Sequence, residues 1–152
     1  MATIQGFLKN TNTAISSLDG DVNLAIKLTE FELLELNRED QLFKGFDTDG
    51  NTIGVYSKFT AGLTKGKSGK GFPKDAGKPY NFYDTGDSYK GLKADLLGGF
   101  KVALSSTGKN ADLIQKRAKG KAYGLTLENK VKYNQQILLP SLRAIIKRHY
   151  RI

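Results

Sequence analysis

The sequence predicts an α+β fold with an N-terminal amphipathic helix, a small antiparallel sheet with a long Gly/Lys loop, and C-terminal helices. Three observations carry that expectation. Apolar residues recur at helical spacing in two segments, near Asp21–Phe43 and after Thr126. Short alternating runs separated by Asp/Gly turns lie between them. A segment rich in glycine and lysine, 58–80, has no hydrophobic periodicity and reads as one long flexible basic loop.

In the first helical segment, Leu24, Ala25, Leu28, Phe31, Leu34 and Leu36 approximate one face. Asp19 or Asp21 is the expected cap, Gly45 the expected stop, and Glu30, Glu32, Glu35, Glu39 and Asp40 the solvent side. DTDGN (47–51) is turn chemistry, and IGVYSKF (53–59) alternates as a strand does. Asp84-Thr85-Gly86 reads as a turn, with Asp87 or Ser88 capping a short helix. GGFKVALSST (98–107) reads as a strand, and 110–118 as a helix capped by Asn110. In the last segment Thr126 caps a helix whose buried side is expected at Leu127, Val131, Gln135, Leu138, Leu142 and Ile145. Pro140 is expected to kink or divide it.

The 152 residues are the length of one domain, read as 1–152. At 39% hydrophobic and 26% charged, the composition is that of a globular chain. No apolar run is long enough to span a bilayer, and the N-terminus lacks the pattern of a secretory signal, so no membrane association is expected. Cysteine is absent, which removes disulfides and thiolate metal sites and fits a reducing cytoplasm. The net charge of +9 is divided unevenly: residues 1–57 hold four Lys/Arg and nine Asp/Glu, residues 58–152 hold 20 and six. Such a two-ended molecule suits nucleic acid or an acidic protein surface, and equally a face of solvated lysines.

Several motifs imitate active-site chemistry. Ala61 to Ser68, A-x-x-x-x-G-K-S, fits a relaxed phosphate-loop pattern, but glycines and prolines after Ser68 deny it the helix whose N–H groups would meet the phosphates. Asp47, Asp49 and Asn51 occupy the first positions of a calcium loop, yet Thr52 replaces the obligatory Gly and Lys58 the closing Glu. His149 has neither a second His nor a Cys to work with. Asp84 and Asp87 are ordinary turn and cap residues. No catalytic residue, cofactor or metal site is therefore expected. The basic feature is more substantial: Lys58, Lys65, Lys67, Lys70, Lys74 and Lys78 alternate with Phe59, Phe72 and Tyr80, a composition suited to non-specific phosphate contact, to a solvated loop, or to an arm that packs on a neighbouring subunit.

Asn37-Arg38-Glu39-Asp40-Gln41-Leu42-Phe43-Lys44-Gly45, Asp47-x-x-Gly50-x-x-Ile53 and Tyr56-Ser57 come first, followed by Tyr83-Asp84-Thr85-Gly86-Asp87-Ser88-Tyr89-Lys90. Tyr123-Gly124-Leu125-Thr126-Leu127-Glu128-Asn129 then opens a helix through Ile137 and Leu138. In outline, over about residues 35–150, this series resembles small virion structural proteins of tailed phages and prophages of Bacteroidetes, including crAss-like phages. The resemblance implies a ring-forming subunit of the head–tail connector, neck or tail. It would be made in the host cytoplasm, and its partners would be identical subunits and portal, neck or tail components, with only non-specific contact to packaged DNA. On that reading Glu32, Glu35, Glu39, Lys65, Lys67, Lys70 and Lys74 are the expected subunit-interface residues. In the alternative, non-specific nucleic-acid binding, the six lysines above and the basic C-terminal helix take the contact role.

Overall fold

The computed structural model describes residues 4–64, 74–83, 86–98 and 100–150, and within them an α+β fold of helices around one two-stranded antiparallel sheet. The first helix, α1 (Ile4–Leu28), begins well before Asp21, so Asp19 and Asp21 lie inside it rather than capping it. It is separated from α2 (Glu30–Arg38) at Thr29. The buried Thr29 hydroxyl donates back to the Ala25 carbonyl at 2.8 Å and meets the Tyr133 hydroxyl at 2.8 Å. A threonine bonding back into the preceding turn competes with the helical ladder, which is where the expected single helix divides. The buried side is also rotated from the expected one. Val22, Ala25, Ile26, Leu33 and Leu36 are buried, whereas Leu24, Leu28 and Phe31 face outward.

After α2 a 3₁₀ turn, Leu42–Lys44, ends at Gly45 with φ 81°. A side chain there would stand 2.6 Å from the Tyr80 carbonyl, so both the dihedral and the close approach require glycine. The strand expected at 53–59 is absent. The segment makes only isolated bridges, Phe46 with Thr52 and Val55 with Pro79. From Lys58 it turns into helix α3 (Lys58–Thr64), because Ser57 Oγ caps the Thr60 N–H at 3.1 Å. The expected 58–80 loop therefore starts as helix.

Helix α4 (Asp87–Lys90) takes Gly86 as its N-cap, so Asp87 and Ser88, the expected caps, lie inside its first turn. Strands β1 (Leu92–Gly98) and β2 (Lys101–Ser106) form a hairpin in register from Leu92–Ser106 to Leu96–Val102, with a bulge before Gly98. Gly98 and Phe100, placed at the start of a strand by sequence, instead flank the hairpin turn with φ of 77° and 61°. Helix α5 (Ala111–Arg117) follows Asn110, which has φ 67° and makes no capping bond.

Thr126 does cap α6 (Leu127–Lys132), accepting the Asn129 N–H at 3.2 Å. Between α6 and α7 (Leu139–Tyr150) the chain winds as a π-helix, Tyr133–Leu138. This wider turn sits immediately ahead of Pro140, whose ring conflicts with the carbonyl four residues back in an ordinary helix. It also corrects phase. At about 100° per residue, Asn129 and Tyr133 lie about 160° and 120° from Ile145, and absorbing one residue reduces these to about 60° and 20°. All three are in fact buried. The expected face at Leu127, Val131 and Gln135 points to solvent.

Two small cores result. One gathers Leu42, Tyr89, Ile114, Ala118 and Ala122, and the other Leu33, Leu36, Leu125 and Tyr133, with Val102 and Leu104 of the hairpin packed on it. Helix α7 packs along α1.

Candidate assembly surfaces

Buried amides hold the framework that presents these surfaces. Asn37, fully buried in α2, donates through Nδ2 to the carbonyls of Ala122 (3.1 Å) and Gly124 (2.6 Å). Gln41 Oε1 accepts the Thr126 N–H at 2.9 Å, and Asn129 Nδ2 donates to the Leu36 carbonyl at 3.2 Å. These three side chains clasp the 122–129 segment to α2 and to the turn that follows it, satisfying backbone groups that would otherwise lack partners.

The acidic side of α2 is largely neutralised within the chain. Arg38 bridges Glu35 and Glu39, the latter through Nε at 3.1 Å. Asp40 pairs with Lys132 at 2.8 Å and with Lys44 at 3.2 Å. The Lys132 hydrogen bond, ahead of that from Lys44, holds the Asp40 carboxyl below its ordinary value. Glu30 reaches the Ala94 N–H at 3.4 Å. Of the three expected interfacial acids, Glu32 alone is exposed with no ion pair among the described residues.

Of the lysines, Lys65, Lys67 and Lys70 lie outside the described residues, as do Phe72, Asp84 and Thr85. Lys58 is exposed on α3, Lys78 is exposed, and Lys74 is half-buried. The phosphate-loop pattern meets the wrong geometry at both ends. Ala61–Thr64, where a strand should deliver the loop, is helical, and 74–80, where the phosphate-facing helix should continue, forms a turn and a bridge. At the calcium-like pattern, Asp47 Oδ1 accepts the N–H groups of Asp49 (2.9 Å) and Asn51 (2.8 Å), an Asx turn, while Asp49 pairs with Lys121. No group of three or more His, Cys, Asp or Glu side chains among the described residues is placed to hold a metal ion.

The sequence reading passed over the N-terminal half of α1. Ile4, Leu8 and Leu18 lie on the same side of the helix as Val22, Ala25 and Ile26, yet among the described residues they are left 81%, 55% and 41% exposed. The signal was the spacing itself, interrupted by Asn10-Thr11-Asn12-Thr13, residues with weak helix preference. A second uncovered patch lies about 200–240° around α1 from Val22, at Leu24 and Leu28, with Phe31 next to them on α2. Leu28 and Phe31 are about two-thirds exposed. A third apolar surface is concave, a cleft of about 530 Å³ between β2 and the Tyr133–Leu138 turn, walled by Leu33, Val102, Leu104 and Leu138.

No protein-family model matches the chain, and no curated protein or solved structure matches it either. Among the described residues, no helix is long and apolar enough to cross a membrane.

Proposed function

We infer that the chain is a non-enzymatic structural subunit of a tailed-phage virion that joins copies of itself head to tail into a ring of the connector, neck or tail. The observation that carries this reading is the pair of uncovered apolar patches on opposite sides of α1. A two-fold dimer needs one self-complementary surface, whereas a ring needs two different surfaces that meet on successive subunits. Full burial of a fully exposed Leu, Ile or Phe is worth roughly 1.5–3 kcal/mol, and correspondingly less for the partly covered Leu8, Leu18 and Leu24, so covering both patches still favours association. The internal ion pairing of Glu35, Glu39 and Asp40 leaves apolar contact as the main driving force, with Glu32 and the exposed lysines setting orientation.

Sedimentation of the full chain over a range of concentrations tests the reading. Discrete closed oligomers larger than a dimer are expected. A monomer at every concentration, or a dimer that never grows, overturns it.

A further inference from the structure

Helix α5 and the 74–82 segment line a pocket of about 210 Å³, which shares only Lys74 with the expected subunit-interface residues. That is room for roughly seven waters, or for one planar ring with its substituents. One wall is aromatic and rigid. Tyr80 stands edge-on to Tyr56 (centroids 4.9 Å, 80°) and tilts against Phe82 (5.7 Å). Tyr56 in turn donates to Asn81 Oδ1 at 2.7 Å. Tyr80 is laid against Gly54, where a Cβ would stand 2.5 Å from the ring. The opposite side carries charge and polarity. The Arg117 guanidinium lies 4.8 Å over the Tyr80 ring, exposed and with no ion pair among the described residues, and Lys74 and Asn110 also line the pocket. Leu113, half exposed, forms an apolar lip. Two of the four non-glycine residues with positive φ among those described, Phe82 (50°) and Asn110 (67°), line it. A bulky residue in that region is strained, and strain of this kind is retained where a local arrangement is held in place.

We propose that this pocket binds a nucleotide unit. The base enters between Leu113 and Phe82, and the phosphate meets the Arg117 guanidinium, which lies over the Tyr80 ring. An exposed arginine fixed over an aromatic ring presents its N–H donors to an oxyanion, and an adjoining apolar slot accepts a ring without demanding sequence. The unit is either a free mononucleotide or one residue of a single strand. A paired base in a duplex cannot enter the slot.

The full chain is titrated with a fluorescent oligothymidylate, with adenosine 5′-monophosphate, with a duplex of the same length, and with polyglutamate. Binding of the single strand supports the site. Competition by the mononucleotide extends it to free nucleotide, and absence of competition assigns it to the strand. Arg117→Ala and Leu113→Glu, both at exposed positions, should each weaken binding by at least about tenfold, while Lys147→Ala, removing the same charge from α7, should change it less than about threefold. No binding, duplex or polyglutamate binding as tight as the strand, or equal losses in all three variants overturns the proposal. The sedimentation behaviour is read separately, so a failed pocket and a failed ring give different results.

Discussion

At the scale of single residues, buried amides tie together segments that the two hydrophobic cores only bring close. Asn37 is the only side-chain donor to two backbone carbonyls among the described residues. Asn37→Ala leaves the buried Ala122 carbonyl and the part-buried Gly124 carbonyl unmet, and should lower the unfolding free energy by about 2–3 kcal/mol, read from the denaturant midpoint. Asp40 gives a pH signature. Its folded pKa lies below the ordinary 3.8, so the Asp40–Lys132 contact stabilises fully above that value, and the contribution disappears as pH falls through the folded pKa. In thermal unfolding from about pH 5 down to about pH 2, Asp40→Asn should melt below the parent at the upper end and coincide with it at the lower. None of this was readable beforehand. Asn37, Gln41 and Asn129 look like solvent-facing positions when burial is inferred from apolar spacing, because their value depends on backbone carbonyls and an N–H between 85 and 93 residues away in sequence.

Among elements, glycine spacing separates crowding from conformation. A Cβ on Gly108 would lie 2.6 Å from the carbonyl oxygens of Asp87 and Ser88, where α4 presses on the hairpin. Gly108→Ala should therefore cost about 2–4 kcal/mol, whereas Gly20→Ala, mid-helix with nothing within 4 Å, should stabilise by about 0.5–1 kcal/mol, both compared by chemical denaturation. The helical segments and their Thr126 cap were legible because periodicity and capping are local. The hairpin was half legible: KVALSS has strand character, but its partner LKADLLG carries Ala, Asp and Leu, and it pairs with β2 where α2 packs against it. The strand expected at IGVYSKF lost to a serine cap.

For the molecule as a whole, both α1 patches matter, and neither could be separated from the core by sequence, since an apolar stripe reads the same whether or not something covers it. Leu8→Lys and Leu28→Lys each remove one patch. Each variant alone should stay small. Mixed, they should form two-subunit complexes and nothing larger, because one intact patch remains on each partner; analytical ultracentrifugation reads this directly. The π-helical turn at Tyr133–Leu138 has a different consequence for the whole chain. It makes the length of the protein locally negotiable. Losing a single residue there, such as the exposed Gln135 or Gln136, lets the winding tighten while Tyr133 and Ile145 still look inward. The same loss anywhere else along 127–150 would swing every later side chain by about 100°. Drift in length between related sequences should therefore gather at this one spot.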